Sequence, residues 1–536
     1  MFKKLFILAI LVFVSIPNLV SSPNYAFAQS VDTAWVRRYN GPANGRDWTN
    51  AIAVDDSGNV YVTGFSWGGW EKMEDYATIK YDVSGNVQWI RRYNGPGSSY
   101  DWANAIAVDN SGNVWVTGWS FGSDAYGDYA TIKYYPNGDT AWVRRYDGLA
   151  NKYDAANAIA IDNSGNVYVT GESVGKGTSK DYATIKYYPN GDTAWVRRYE
   201  AGGEDRAQAI TIDGSSNVYV TGASEDGFYS RDYATIKYNS NGDTAWVRRY
   251  NGPGNTDDWA YAIAVDYSRD VYVVGSSGTV KYDSDGNQLW IGSWGGVAIA
   301  LDSLNNVYVT GANSDYLTIK YYPNGDTAWV RRYNEPGNEY NQAHAIAVDG
   351  YNNAYVTGVS PGIGGYPDYV TIKYYPNGNT AWVRRYDGPT GYWDWATSIA
   401  VDDSSNVYVT GFSVVPETDM DYITIKYVQI PDDVKDETNN REKPSEFALY
   451  QNYPNPFNQA TKIEFTLSQS GFVSLSIYDL LGRKIRTLVS ENLSPGYKSV
   501  LWEGKDDSGK EVSSGIYFYR LKIGDYSEAK RLVLLK

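Results

Sequence analysis

The stretch DYATIKYYPNGDTAWVRRYDG, residues 128–148, decides the fold of this 536-residue chain. It joins two runs rich in Tyr, Thr, Ile, Val and Trp through Asn137-Gly138. This dipeptide can adopt the positive φ angles that a two-residue hairpin turn requires, so the stretch predicts a β-hairpin. Near copies of the second arm begin at Ala34, Ala141, Ala194, Ala245, Ala328 and Ala381, with looser copies at Gln88 and Leu289.

Each copy of the hairpin belongs to a larger repeat with four strand-like pieces. In the first unit these are AIAVD at 51–55, NVYVTG at 59–64, DYATIKY at 75–81 and VQWIRRY at 87–93. The NVYVTG piece or a close variant occurs eight times, at a period near 50 residues. Four strands at this period, with no helical periodicity, predict an all-β, eight-bladed β-propeller over residues 30–428. AIAVD is expected to be the innermost strand and AWVRRY the outermost.

The two ends of the repeat region predict how the ring closes. TAWVRRY at 33–39 precedes the first AIAVD, and no outer strand follows DYITIKY at 421–427. Pairing of these two segments would complete the last blade and remove the open sheet edges of an unclosed array.

Strand order also divides the connections between two faces. The tight connections, such as DDSGN at 55–59 and YPNGD at 135–139, fall on one face and vary little between units. The connections on the opposite face vary in length and composition, which is typical of loops that carry binding function. They are short in the fifth and sixth units, at 276–278, 292–296 and 312–314, so we expect a notch there.

Composition excludes several classes of function. The formal net charge is −15, which disfavours nucleic-acid binding. There is no cysteine, so disulfides, thiolate metal sites and thiol catalysis are excluded. His344 is the single histidine, which leaves almost no material for histidine-based catalysis or metal binding. We predict no cofactor and no metal site beyond the Ca²⁺ alternatives considered below.

The N-terminus has the pattern of an export signal over residues 1–28. Lys3 and Lys4 precede an apolar run at 5–14, and Ala26-Phe27-Ala28 forms an A-x-A cleavage site. No later segment has 18 consecutive apolar residues, so no transmembrane segment is predicted.

Acidic residues recur just before the inner strand, and Asn341 takes this position in the seventh unit. Around a propeller channel they could form a ring of carboxylates at its mouth that holds Ca²⁺ or attracts a cationic ligand. Alternatively, each carboxylate caps its own loop through backbone N–H groups, which recurrence in nearly every unit favours. The six residues are Asp47, Asp101, Asp154, Asp205, Asp258 and Asp394.

A second set of candidates consists of loop aromatics that do not recur in register. Flat rings beside carboxylates and amides suit sugar binding, and the alternative is packing between loops. The ligand-binding candidates are Trp67, Trp70, Trp119, Phe121, Tyr126, Phe228, Tyr229, Tyr392 and Trp393. The recurrent tryptophans Trp48, Trp102, Trp259 and Trp395 are instead predicted to pack between blades.

Two further repeated features have structural interpretations. Arg-Arg pairs such as Arg144-Arg145 lie on outer strands, where neighbours point to opposite faces, and we predict ion pairs with aspartates such as Asp128 and Asp181. The DDSGN turns faintly resemble Ca²⁺ loops but lack the full ligand spacing, so plain β-turns are preferred.

The repeat stops after Tyr427, and a charged linker is predicted over 429–446, followed by a small β-sandwich over 447–536. The run Tyr453-Pro454-Asn455-Pro456-Phe457-Asn458, with later Leu481-Gly482-Arg483 and Ser514-Gly515-Ile516-Tyr517, resembles the C-terminal sorting domain of the type IX secretion system. That resemblance implies an immunoglobulin-like sandwich, interaction with the secretion machinery, and export through the periplasm to the outer cell surface or the medium. No activity comes with it.

The repeats themselves resemble SBBP β-propeller repeats, through the D-x-x-G-N-x-Y-V-T-G core seen at residues 55–64. The family is named for seven blades, so seven is the alternative to eight. We predict a secreted or surface propeller that binds an extracellular glycan or protein through its variable loops, without catalysis. The alternatives are an enzyme acting on polysaccharide, with Asp101 and Asp394 as acid and base, and a passive envelope protein.

Overall fold

The computed structural model describes residues 30–430 except 71–72, 124–125, 226–229, 255, 313–315, 334–340 and 363–364, and residues 447–534 except 451, 453–456, 458–460 and 525. The signal peptide predicted at 1–28 and the linker residues 431–446 lie outside the described residues. The chain divides after residue 431 into two compact units, which are considered separately here. All 39 described elements are β-strands.

The first unit contains eight four-stranded antiparallel sheets, one for each sequence repeat, within the described residues. The predicted all-β fold with propeller blades is therefore confirmed. Blades 1 and 2 consist of β2 (Asp47–Val54), β3 (Val60–Trp67), β4 (Glu74–Tyr81), β5 (Val87–Tyr93), β6 (Asp101–Val108), β7 (Val114–Phe121), β8 (Gly127–Tyr134) and β9 (Thr140–Tyr146). Blades 3 and 4 consist of β10 (Asp154–Ile161), β11 (Val167–Val174), β12 (Lys180–Tyr187), β13 (Thr193–Tyr199), β14 (Asp205–Ile212), β15 (Val218–Glu225), β16 (Arg231–Tyr238) and β17 (Thr244–Tyr250).

The remaining blades follow the same order, except that blade 8 combines the last three strands of the ring with the first strand of the chain. Blades 5 and 6 consist of β18 (Ala260–Val265), β19 (Val271–Gly275), β20 (Gly278–Tyr282), β21 (Gln288–Gly292), β22 (Ala298–Leu301), β23 (Val307–Ala312), β24 (Tyr316–Tyr321) and β25 (Thr327–Tyr333). Blades 7 and 8 consist of β26 (Gln342–Val348), β27 (Ala354–Pro361), β28 (Pro367–Tyr374), β29 (Thr380–Tyr386), β30 (Asp394–Val401), β31 (Val407–Val415), β32 (Asp419–Ile430) and β1 (Ser30–Tyr39).

The ring closes through β1, as the ends of the repeat region predict. β1 pairs antiparallel with β32, with Arg37 opposite Thr424 and Tyr39 opposite Tyr422. The inner strands β2 and β30 contact each other, so blade 8 lies against blade 1. Trp35 and Tyr408 of blade 8 share one buried cluster with Ile52 of blade 1.

The hydrophobic core of the ring lies between successive blades. Trp115 and Tyr129 of blade 2, for example, pack with Val169 and Ile185 of blade 3. Both faces of a blade are covered in this way, which explains why β3 is buried at seven of its eight positions. Complete burial contributes about 1.5–3 kcal/mol for each large apolar side chain, so the interblade contacts dominate stability.

The two arginines of the Arg-Arg pairs, which blade 5 lacks in its outer strand β21, have different partners. The second one forms the predicted ion pair within its own blade, as in Arg145 with Asp128 at 2.6 Å and Arg198 with Asp181 at 2.7 Å. Within the described residues the first one forms no ion pair with an aspartate, which corrects part of the prediction. Arg144 lies over the Trp142 ring, and its Nε donates to the carbonyl of Gly191 in the turn of the next blade at 2.7 Å. Alternation along the strand sends the two side chains to opposite faces. The first arginine therefore reaches the next blade, whereas the second joins strands of its own blade and also reaches the preceding blade, as in Arg145 with the Tyr93 hydroxyl at 3.2 Å.

Blades 5 and 6 have shorter strands on one side of the ring. β19 and β20 contain five residues each and β22 contains four, whereas β3 contains eight. At about 3.3 Å per residue, a difference of three residues lowers this part of the ring by about 10 Å. The shortening lies on the side of the variable connections, where the sequence predicts a notch.

The second unit is a β-sandwich. One sheet contains β33 (Ala448–Leu449), β34 (Thr461–Leu467) and β37 (Gly496–Trp502), and the other contains β35 (Gly471–Tyr478), β36 (Lys484–Leu493), β38 (Gly515–Ile523) and β39 (Tyr526–Leu534). Ile463 and Phe465 of the first sheet share one core with Leu475 and Tyr519 of the second. The immunoglobulin-like character of this sandwich stays a prediction.

Of the sorting motif, only Phe457 belongs to the described residues. It is buried, its N–H donates to the carbonyl of Val533 at 2.9 Å, and its ring lies 5.5 Å from that of Trp502. The other motif residues, Tyr453, Pro454, Asn455, Pro456 and Asn458, lie outside the described residues.

Candidate functional site

The propeller has two chemically different faces. We call the side with the tight DDSGN and YPNGD connections the turn face, and the opposite side the loop face. On the turn face, Asp55 accepts hydrogen bonds from the N–H groups of Ser57 and Asn59, from the Asn59 side chain and from the Tyr61 hydroxyl. The first aspartates of the seven other inner turns act in closely related ways: Asp109, Asp162, Asp213, Asp266, Asp302, Asp349 and Asp402. These carboxylates stabilise turns, which supports the β-turn interpretation over Ca²⁺ loops.

A shallow cavity of about 180 Å³ opens on the turn face where blades 8, 1 and 2 meet. Its lining includes Asp56, Asp403, Val108 and Val401. Burial raises the pKa of Asp403, and the nearby charges of Asp56 and Asp402 raise it further. The cavity is acidic, but the first aspartate of each contributing turn is already engaged in backbone hydrogen bonds.

The six carboxylates that precede the inner strands are not at an open channel mouth. Asp47, Asp101, Asp154, Asp205 and Asp258 are fully buried, and Asp394 is 1% exposed. The connection folds over each one: the Gly41 N–H donates to Asp47 Oδ2 at 2.5 Å, and the Gly148 N–H donates to Asp154 Oδ2 at 2.6 Å. They act as loop caps, and the channel-mouth interpretation is corrected accordingly.

Burial has a marked effect on the ionisation of these caps. It raises the pKa of five of them to about 6, although hydrogen bonds from a serine side chain and a loop N–H oppose the shift. The five are Asp47, Asp101, Asp154, Asp205 and Asp394.

Two of the caps belong to sets of three carboxylates with oxygens within 4.8 Å of one another. The sets are Asp128, Asp147 and Asp154, and Asp368, Asp387 and Asp394. Such oxygens could ligate Ca²⁺. However, Arg145 and Arg385 already form ion pairs with Asp128 and Asp368, so we treat both sets as parts of the interstrand ion-pair system.

A belt of polar side chains joins the inner strands of neighbouring blades. The Asn50, Asn104 and Asn157 amides each donate to a carbonyl of the next blade at 2.8 Å. His344 continues this belt with its Nδ1 2.6 Å from the Ala396 carbonyl oxygen. Burial lowers the pKa of His344 to about 4, so this histidine is a neutral structural residue.

The loop face divides into two sectors, and the first is aromatic. It covers blades 8, 1 and 2, where ring contacts join neighbouring blades through a tilted pair, Phe412 and Trp48, at 4.1 Å and a stacked pair, Phe65 and Trp102, at 4.8 Å between centroids. Within blade 2, Trp102 continues to Trp119 at 5.2 Å. The recurrent tryptophans therefore pack between blades, as predicted.

The second sector, on blades 3 to 5, is ionic. Glu172 pairs with Lys180 and with Arg206, Arg206 pairs with Glu204, and Glu204 pairs with Arg231. Arg206 and Arg231 both lie over the Trp259 ring. Glu172 of blade 3 takes the position of Trp119 in blade 2, and Arg206 of blade 4 takes the position of Trp102. An alignment of the repeats could have revealed these replacements. Reading the aromatics alone missed this ionic sector.

The predicted ligand-binding aromatics are spread over the loop face. Trp70 is 85% exposed, Tyr126 48%, Trp393 47% and Tyr392 42%, whereas Trp67, Trp119 and Phe121 are half-buried. Phe228 and Tyr229 lie outside the described residues.

The structure brings some of these aromatics together. Trp67 and Trp70 meet edge to face with centroids 5.6 Å apart, and Tyr392 lies 5.5 Å from Tyr366, which sequence reasoning missed. Arg46 and Glu74, which lie beside the tryptophan pair, were also missed because neither stands out in the sequence.

Comparisons with known proteins identify both parts of the chain. The model of the β-propeller repeat SBBP matches residues 34–69, 88–124, 142–176, 245–279 and 382–413, and the model of the secretion system C-terminal sorting domain matches residues 451–535. An uncharacterized WD repeat-containing protein of Acanthamoeba polyphaga mimivirus is 22% identical over 405 residues, which is 65% of this chain and 27% of that protein. The chain thus spans about a quarter of the length of this relative.

The solved structures to which the chain is similar share little sequence identity with it. PorZ, a surface component of the type IX secretion system of Porphyromonas gingivalis, is 12% identical with a TM-score of 0.30, and the match covers 91% of this chain and 75% of PorZ. A puromycin hydrolase is 12% identical with a TM-score of 0.42, covering 70% of this chain and 60% of the hydrolase. At these TM-scores the neighbours carry no argument about function.

The sorting domain indicates export to the cell surface or secretion, and it implies interaction with the secretion machinery. No helix in the described part of the chain could span a membrane. Five segments of the chain thus match the SBBP β-propeller repeat, and its C-terminal part matches the type IX secretion system sorting domain.

Proposed function

We propose that the exported propeller binds an extracellular ligand, a glycan or a protein, through its loop face and has no catalytic activity of its own. The observation that carries this proposal is the contrast between the two faces. The turn face repeats one structural device in every blade, whereas the loop face changes its chemistry from blade to blade and exposes Trp70, Tyr392 and Trp393. Rigid scaffolds with variable loops commonly bind through those loops.

The alternative of an enzyme acting on polysaccharide receives less support. Its acid and base would be Asp101 and Asp394, and both carboxylates are buried under loop connections. They also begin the inner strands of different blades, β6 and β30. A passive envelope protein would not require the large aromatic side chains that the loop face exposes to solvent.

The test compares faces on the purified, exported chain. Wild type, a loop-face variant (Trp70→Ala with Trp393→Ala) and a turn-face variant (Asp56→Asn with Asp403→Asn) are applied to a glycan array and to immobilised extracellular proteins of the same cells. We expect binding by wild type and by the turn-face variant, with loss in the loop-face variant. Binding that the loop-face variant keeps and the turn-face variant loses would contradict the proposal, and so would the absence of binding by wild type. Release of sugar from a polysaccharide would contradict the absence of catalysis.

A further inference from the structure

We propose that blade 1 carries a subsite for one neutral pyranose ring of a glycan, with Trp70 as the stacking surface and Arg46 as a hydrogen-bond donor. This inference rests on the proposed loop-face function and names the chemistry of one part of that face.

Trp70 is exposed in the connection between β3 and β4. Its side chain is 85% exposed, more than any other large hydrophobic side chain among the described residues. The loop that presents it is closed by two backbone hydrogen bonds, from Gly68 N–H to Met73 O at 2.6 Å and from Met73 N–H to Gly69 O at 2.8 Å. These bonds hold Gly68, Gly69 and Met73 together, and the Trp70 indole is exposed to solvent.

The neighbouring Trp67 supplies a second wall. The two indoles are nearly perpendicular, at 88°, with centroids 5.6 Å apart. The Trp67 ring lies directly against Gly45, where a Cβ atom would overlap the ring. The backbone N–H of Trp67 donates to the backbone carbonyl of Arg46 at 3.0 Å. The glycine thus fixes the position of the wall next to the exposed ring.

Arg46 is fixed by a chain of buried partners. Its Nη2 donates to Glu74 Oε1 at 2.8 Å, and Trp102 Nε1 donates to Glu74 Oε2 at 2.5 Å. Glu74 is fully buried, while the Arg46 side chain is 52% exposed. A guanidinium carries five N–H donors. Within the described residues, one of the Arg46 donors is bound to a side chain, that of Glu74. The exposed part of Arg46 can therefore donate to a ligand.

The combination favours a neutral sugar. A pyranose ring has flat C–H faces and a rim of hydroxyl groups, which suit an exposed indole together with a fixed donor on the neighbouring connection of the same blade. Among the described residues, the one cation assigned to the subsite, Arg46, is paired with Glu74, and the chain has a net charge of −15, so these residues favour a neutral over an anionic glycan. One indole buries about 150–250 Å², well short of the roughly 800 Å² that each partner buries in a standard protein interface.

The experiment titrates the full chain with cellotetraose, maltotetraose, laminaritetraose and mannotetraose, with tetragalacturonate as the anionic comparator. We expect at least one neutral probe to bind, with at least a tenfold loss in Trp70→Ala, a smaller loss in Trp70→Phe, and a loss in Arg46→Ala. Binding should differ little between 50 and 500 mM NaCl. Tyr267→Ala is the matched control, because Tyr267 is 80% exposed on the turn face, and it should bind within twofold of wild type.

Several results would overturn the subsite. Neutral binding that is unchanged in Trp70→Ala but lost in Trp393→Ala would move the site to blade 8 and leave the loop-face function intact. Binding of tetragalacturonate alone, or capture of a protein that Trp70→Ala abolishes, would overturn the assignment of a neutral sugar while the loop face remained the binding surface. If no ligand of any class depended on a loop-face residue, the proposed function itself would fail.

Discussion

The turn face and the loop face are built on the same eight sheets, but they use their side chains differently. On the turn face, each inner-turn aspartate has its oxygens engaged by its own turn, as in Asp162 with Ser164, Asn166 and Tyr168. On the loop face, one scaffold position carries Trp102 in blade 2 and Arg206 in blade 4. Repetition therefore marks the residues that stabilise the ring, and variation marks the surface that is free to acquire a ligand.

The largest expected effect comes from removing the strand that both faces share. Deleting residues 30–38 removes the buried Val31 and Trp35 and the ion pair of Arg38 with Asp421. Loss of one buried large aromatic alone costs about 3–5 kcal/mol, so the thermal midpoint of the propeller should fall by at least about 4 °C. Calorimetry provides the measurement, with Arg38→Lys as the control that keeps the strand. An unchanged midpoint in the deletion variant would contradict closure by β1.

A single turn aspartate should come next in size. Asp162→Ala leaves two backbone N–H groups and the Tyr168 hydroxyl without their acceptor, and we expect a loss of about 2–4 kcal/mol. Asp56→Ala on the same face is the matched control, since Asp56 is exposed, and it should cost less than about 0.5 kcal/mol. Chemical denaturation measures both variants. Equal effects would mean that the turn face is not held by its repeated carboxylates.

The loop-face caps predict a pH dependence of stability. Burial raises the pKa of Asp47 in the folded state to about 6, from an ordinary value of 3.8, so between these values the folded state holds a proton that the unfolded state has released. Ionisation of the cap therefore removes stability as pH rises from about 4 to about 6, by about 1–3 kcal/mol at the upper end.

Asp47→Asn isolates this contribution from the other carboxylates, and Asn341 of blade 7 already shows an amide at the corresponding position. The free energy of unfolding of wild type minus that of the variant should be larger, that is more positive, at pH 4.5 than at pH 7. A difference that does not depend on pH would show that the cap has an ordinary pKa.

The smallest expected effects separate the two loop-face sectors. Glu204→Gln weakens pairs with Arg206 and Arg231 and should cost about 0.2–1 kcal/mol, less in 0.5 M NaCl. Phe65→Leu in the aromatic sector should cost up to about 1.5 kcal/mol with no dependence on salt. Urea titrations at two salt concentrations measure the difference. A salt dependence shared by both variants would remove the distinction between the sectors.

Much of the fold was predictable because the same four strand-like pieces occur in each of the eight repeats. The hairpin, the position of β1 and the short strands of blades 5 and 6 follow from counting pieces in the sequence. Recurrence favoured the capping role of the aspartates at the start of the inner strands, but their complete burial was harder to predict, because an overlying connection leaves no local signal. The Arg46, Glu74 and Trp102 contact joins three segments that are about 28 residues apart, so no local pattern could reveal it.

The account is tested most directly by hydrogen exchange of the full chain with and without a saturating bound ligand, either a neutral tetrasaccharide or a captured extracellular protein. The central claim predicts that the ligand slows exchange in the loop-face connections, at 65–70 and 387–393, and leaves the inner turns at 55–59, 109–113 and 402–406 unchanged. Slower exchange confined to those inner turns would place the binding surface on the opposite face and contradict the claim.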